Sequence, residues 1–118
     1  MTRDEVMAMT DEELRIKAAE LMGFTEIAAG AFDDLWGYLP ENDEGRGERT
    51  EIADYPNDIA AAWELTKFEH KTWSFLARLL DERPGHDRYM IYNVMLKTTP
   101  QEIVRAFILA MADKEATD

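Results

Sequence analysis

Apolar positions recur at helical spacing in three stretches of the chain, and each stretch opens on a recognisable start signal. From Asp11, the residues Leu14, Ala18, Leu21 and Met22 share a face, with Glu12, Arg15 and Glu20 elsewhere on the wheel. That pattern predicts an amphipathic helix over about 11–22, stopped by Gly23 in a left-handed conformation. Two Thr-x-x-Glu signals precede or open it, Thr2 with Glu5 and Thr10 with Glu13, in which hydroxyl and carboxylate satisfy orphan helix amides. The second stretch follows Tyr55-Pro56, with Asn57 expected as the N-cap and Asp58 in the first turn, and predicts a helix over about 58–71. Ile59, Ala62, Trp63 and Thr66 on one face, and Ala61, Leu65 and Phe68 on the next, make an apolar surface wide enough to cover a sheet. Three alanines, Ala60 to Ala62, would let the backbone approach closely, with Trp63 filling the wider gap beside them. The third stretch has Thr99 as cap, Pro100 at the first helical position and Glu102 completing the box. Ile103, Phe107, Ala110 and Met111 mark its buried face over about 100–112, and the polar residues 113–118 are expected to fray.

Period-two patterning is weaker. "FTEIAAGAF" and "LWGYLP", between Phe24 and Pro40, hold enough β-branched and aromatic residues for one or two short strands. "WSFLARLL", residues 73–80, reads as a strand with Trp73, Phe75, Ala77 and Leu79 on one side, although a helix competes. With "RYMIYNVML", residues 88–96, it would form a β-hairpin across a seven-residue loop. The second of these strands has no purely polar face, which implies cover on both faces or a homodimer. Helices before, between and after short strands predict a single α+β domain, a short antiparallel sheet layered with helices.

Charge changes this picture most. The net charge of -12 exceeds the magnitude of roughly 2 to 8 that suffices to keep a small domain soluble. Residues 23–54 alone hold nine acids and two bases, so they carry -7 of that total. Within them, residues 41–50, "ENDEGRGERT", contain no apolar side chain and two glycines, and residues 41–54 are expected to form an exposed acidic loop. Such a field repels nucleic-acid backbones and attracts basic surfaces, which disfavours direct nucleic-acid binding and favours a basic protein partner. The candidate partner-binding residues are Asp43, Glu44, Glu48, Glu51 and Asp54. An amino terminus rich in acids and the lack of any long apolar run point away from a signal peptide or a membrane span. The absence of cysteine fits a reducing, cytoplasmic setting.

Catalytic and metal chemistry finds little to stand on. His70 follows Glu69, but adjacent helical positions face apart. His86 beside Asp87 reads as a solvated loop pair, and Asp33-Asp34 as turn residues, because no calcium-loop spacing surrounds them. There is no phosphate loop, dinucleotide fingerprint or nucleophile elbow. No catalytic, cofactor-binding or metal-ligating residue is therefore assigned, no cofactor is expected, and the chain reads as a non-enzyme. An alternative is a small-molecule pocket between the hairpin and its helices, with Tyr89, Tyr92 and Asn93 as polar contacts.

Three segments carry a resemblance to a known family. "YPNDIAAAWELTK" resembles the tyrosine-turn-helix of the phage ABA sandwich domain, and "TTPQEIVRAFILAM" is similar to that family's closing helix. "MTRDEVMAMTDEEL" through "AAELMGF" is similar to its two-step entry. The resemblance spans about half the chain by inspection and implies a helix, sheet, helix sandwich of phage or prophage origin. It implies no shared biochemical activity. Residues 24–54 have no counterpart in it, and the acidic segment lies there. The combined expectation is a phage accessory protein that binds a host protein through an acidic surface, of the anti-CRISPR or anti-restriction kind, in the host cytoplasm.

Overall fold

A computed structural model describes residues 2–30, 32, 34–40, 45, 47–80 and 95–117. Two capped helices open the chain, α1 (Arg3–Met7) and α2 (Asp11–Leu21). Thr2 accepts from the Glu5 amide, and Thr10 and Glu13 form the full reciprocal box. α2 stops where Gly23 takes φ of 98°, with the Gly23 and Phe24 amides donating back to the Glu20 and Ala19 carbonyls. That paired closure needs a residue tolerant of positive φ. A side chain at position 23 would also press on Pro40.

Three antiparallel strands follow in the order β1 (Thr25–Ala29), β2 (Leu35–Tyr38), β3 (Arg49–Glu51). β2 is central and alternates, with Leu35 and Gly37 buried and Trp36 and Tyr38 half-buried. A bulge between Thr25 and Ala28, with Glu26 at φ of 52°, interrupts the β1 ladder. The α+β class thus stands, but the described sheet is built from residues 25–51, and residues 73–80, expected as the first strand of a hairpin with 88–96, do not contribute to it. Arg49–Glu51 is a strand inside the segment expected to be loop, and Ile52 just after it is fully buried.

α3 (Ile59–Phe68) is capped by Asp58, whose carboxylate accepts from the Ala60 and Ala61 amides. The cap is one residue later than expected, because the Asn57 amide is engaged with Asp54 instead. Residues 72–79, expected as a strand, form the helix α4 (Thr72–Leu79) with Thr72, Leu76 and Ala77 buried at helical spacing. Residues 88–94 lie outside the described residues, and 95–97 are helical.

α5 (Pro100–Thr117) runs past Ala112, where fraying was expected to begin. Ion pairs from Lys71 to Asp113 and from Lys114 to Glu69 tie this last stretch to the α3–α4 turn. α5 is the hub of the molecule. One side, through Val104, Phe107 and Ile108, packs with Leu14, Leu35, Ile52, Tyr55 and Leu65. Another, through Ile103 and Ala106, packs with Ala62, Leu76 and Ala77. The wide face of α3 therefore rests on α5 and α4 and not on a sheet. Trp63 of α3 stacks on Trp73 of α4, centroids 5.2 Å apart. Among the described residues, no helix is long and apolar enough to cross a membrane.

Candidate acidic interaction face

The β1–β2 turn and the start of α2 lie far apart in sequence, yet both border one open groove of about 310 Å3. Asp11, Glu12, Asp34 and Asp54 line it together with Arg15, Ala29, Leu35 and Asn57. Each carboxylate is held by its element. Asp11 and Glu12 occupy the first turn of α2, where the helix dipole favours negative charge. Asp54 follows the buried Ile52, and its carbonyl accepts from the Asn57 and Asp58 amides at 3.0 and 2.9 Å. Its carboxylate accepts from Asn57 Nδ2 at 3.1 and 3.2 Å.

Asp34 organises the β1–β2 turn. Its carbonyl accepts from the Gly30 amide at 2.7 Å, and its carboxylate accepts from the Phe32 amide at 3.3 Å and from Trp36 Nε1 at 2.5 Å. A side chain at Gly30 would displace this carboxylate from its Phe32 and Trp36 bonds. The Trp36 indole holds the Asp34 carboxyl below the usual range; lost hydration opposes this, while the Phe32 amide and Arg49 assist. Arg49 in turn sits over the Trp36 ring at 4.6 Å, diagonally across the β2–β3 register.

Among the described residues, Arg15 is the one cation lining the groove, and its fork is turned to the backbone. Nε donates to the Ala53 carbonyl at 3.2 Å and Nη2 to the Ile52 carbonyl, which joins α2 to the end of β3. Beneath it, Tyr55 is buried and its hydroxyl donates to Met22 Sδ at 3.4 Å. Burial pushes the Tyr55 hydroxyl above its ordinary value of 10.0, with nearby Arg15 partly opposing. A raised folded-state pKa means that the contribution of Tyr55 is fully present below about pH 10 and is lost as pH rises beyond it. Alkaline unfolding should therefore steepen above pH 10, and Tyr55→Phe should flatten that limb. An unchanged limb in urea titrations across this range would remove the assignment.

Of the expected partner-binding residues, Asp54 enters the groove, while Glu51 lies on the outer sheet face opposite Trp36. Glu48 is exposed just before β3, its carbonyl accepting from the Leu39 amide. Asp43 and Glu44 lie outside the described residues, as do Tyr89, Tyr92, Asn93, His86, Asp87 and Asp33. Residues 72–79, part of the hairpin expected beside the alternative pocket, are helical. His70 is exposed at the α3–α4 turn. Among the described residues, no three of His, Asp and Glu are placed to hold a metal ion. Asp11, Glu12 and Asp34 were missed as partners of Asp54. Their one sequence signal was helix-start or turn chemistry, which does not announce convergence.

No family model matches the chain, and neither does any curated protein or solved structure.

Proposed function

We propose that this chain is a non-enzymatic accessory protein, of phage or prophage origin, that binds a basic and normally nucleic-acid-binding surface of a host protein. One observation carries the reading: carboxylates from three separate elements converge on one groove while its Arg15 guanidinium is spent on backbone carbonyls. A surface of this kind offers acceptors to a partner's arginine and lysine side chains, as a phosphate backbone does. Long-range attraction from a net charge of -12 would speed encounter with such a partner. The phage setting rests on the resemblance of "YPNDIAAAWELTK" and "TTPQEIVRAFILAM" to the phage ABA sandwich domain. Within it, an anti-CRISPR or anti-restriction inhibitor acting in the host cytoplasm fits the charge best.

The test is inhibition of DNA cleavage by a panel of purified restriction endonucleases and CRISPR effector complexes. Against a responsive enzyme, the triple variant Asp11→Asn, Glu12→Gln, Asp54→Asn, which neutralises groove carboxylates, should bind about tenfold or more weakly at low salt, with a flatter dependence of affinity on ionic strength. No inhibition across the panel, or equal affinity of variant and parent at every salt concentration, would overturn the proposal.

A further inference from the structure

The β1–β2 turn carries an aromatic side chain that no described residue covers. Phe32 is 91% exposed, against 67% for Leu96, the next most exposed large apolar side chain among the described residues. Its amide is nonetheless engaged, donating to the Asp34 carboxylate, which itself accepts from Trp36. An aromatic ring has few rotatable bonds, so such a knob loses little freedom when it is buried against another surface.

On the helical side lies an apolar pocket of about 170 Å3 lined by Phe75, Leu79 and Leu109, with Arg3 and Arg78 also in the lining. Arg78 lies over the Phe75 ring at 5.0 Å. An apolar cavity of about 150 Å3 is large enough to take benzene, so this one admits a phenyl ring. Its charge is the reverse of the rest of the molecule: both charged lining residues are basic, in a chain with 25 acids and 13 bases. The knob brings Asp34 with it.

We propose that Phe32 of one copy inserts into the Phe75–Leu79–Leu109 pocket of a second copy, with Asp34 meeting Arg3 and Arg78 at the rim. Size and charge select the same match. The contact joins two different patches, so each can be removed while the other is left intact. It shares Asp34 with the acidic groove, but the variants that test it, Phe32→Ser and Arg3→Glu with Arg78→Glu, leave every groove carboxylate in place, so the two readings fail separately.

Sedimentation velocity of the full chain over a concentration series up to about 1 mM, where contacts of small area become visible, tests it. Salt is held at about 0.15 M so that the overall like charge of the copies is screened beyond about 8 Å. The parent chain should self-associate, and Phe32→Ser should weaken this roughly 30-fold, the loss of one aromatic anchor. The pair Arg3→Glu, Arg78→Glu should weaken it similarly by repelling Asp34. These side chains are exposed, and circular dichroism checks that each variant is folded. Mixing the two variants should restore association through the pocket of the first and the knob of the second. A parent chain monomeric throughout, association indifferent to Phe32→Ser, or no recovery on mixing would overturn the proposal.

Discussion

Phe107→Ala is expected to destabilise the domain by about 3–5 kcal/mol, within the range for truncating a buried phenylalanine to alanine. Phe107 is fully buried on the middle of α5, in the cluster that joins Leu14 of α2, Leu35 of β2, Ile52 after β3 and Leu65 of α3. No other single side chain of its size is fully buried in the described core. Its cluster draws on several elements that pack together, so the vacated space closes only if they shift jointly. Against a total stability of about 5–15 kcal/mol for a domain, a loss of this size is a large share. Urea unfolding followed by circular dichroism measures it. Phe68→Ala is the internal comparison: Phe68 meets Phe107 edge-on at 6.0 Å but is half exposed, so its loss should cost much less. Equal costs for the two would show that α5 is not the organising element.

Arg15→Met is expected to cost about 2–4 kcal/mol, because two charge-assisted bonds to the Ile52 and Ala53 carbonyls are lost together. The aliphatic part of the replacement keeps the packing of the stem, so the measured loss reports the fork. The same substitution separates two accounts of the acidic face. It makes the chain more negative by one charge, which on charge alone strengthens attraction to a basic partner. Yet Arg15 anchors the segment that carries Asp54 and Asn57 against α2, which carries Asp11 and Glu12. If groove geometry matters, binding weakens despite the added charge, and amide exchange should quicken across residues 52–58. Stronger binding with unchanged exchange would make the groove irrelevant and leave only net charge.

Local signals were sufficient where a helix announces its own ends. Thr10 with Glu13, and Thr99 with Pro100 and Glu102, mark starts by chemistry confined to one turn, and both helices form there. Gly23 ends α2 for an equally local reason. The short strands near Thr25–Ala29 and Leu35–Tyr38 were also legible, from branched and aromatic residues bounded by glycine and proline. "WSFLARLL" was not, because an eight-residue apolar run satisfies alternation and helical spacing alike. Its conformation follows from what it meets, namely α5, against which Leu76 and Ala77 pack with Ile103 and Ala106. β3 has no apolar pattern at all and exists through its pairing with β2.

The candidate site divides in the same way. Composition alone determined that the chain is strongly acidic and that residues 23–54 carry most of the excess, which is the ground for proposing a basic partner. The capping boxes determined where two of the main helices begin. Only the tertiary structure decided which carboxylates stand together. Asp11, Glu12, Asp34 and Asp54 meet because α2 packs on α5 while the Arg15 fork draws the chain after β3 against α2. Charge is a sum over residues and can be read without a fold, but proximity between distant residues is set by packing, which no single segment encodes.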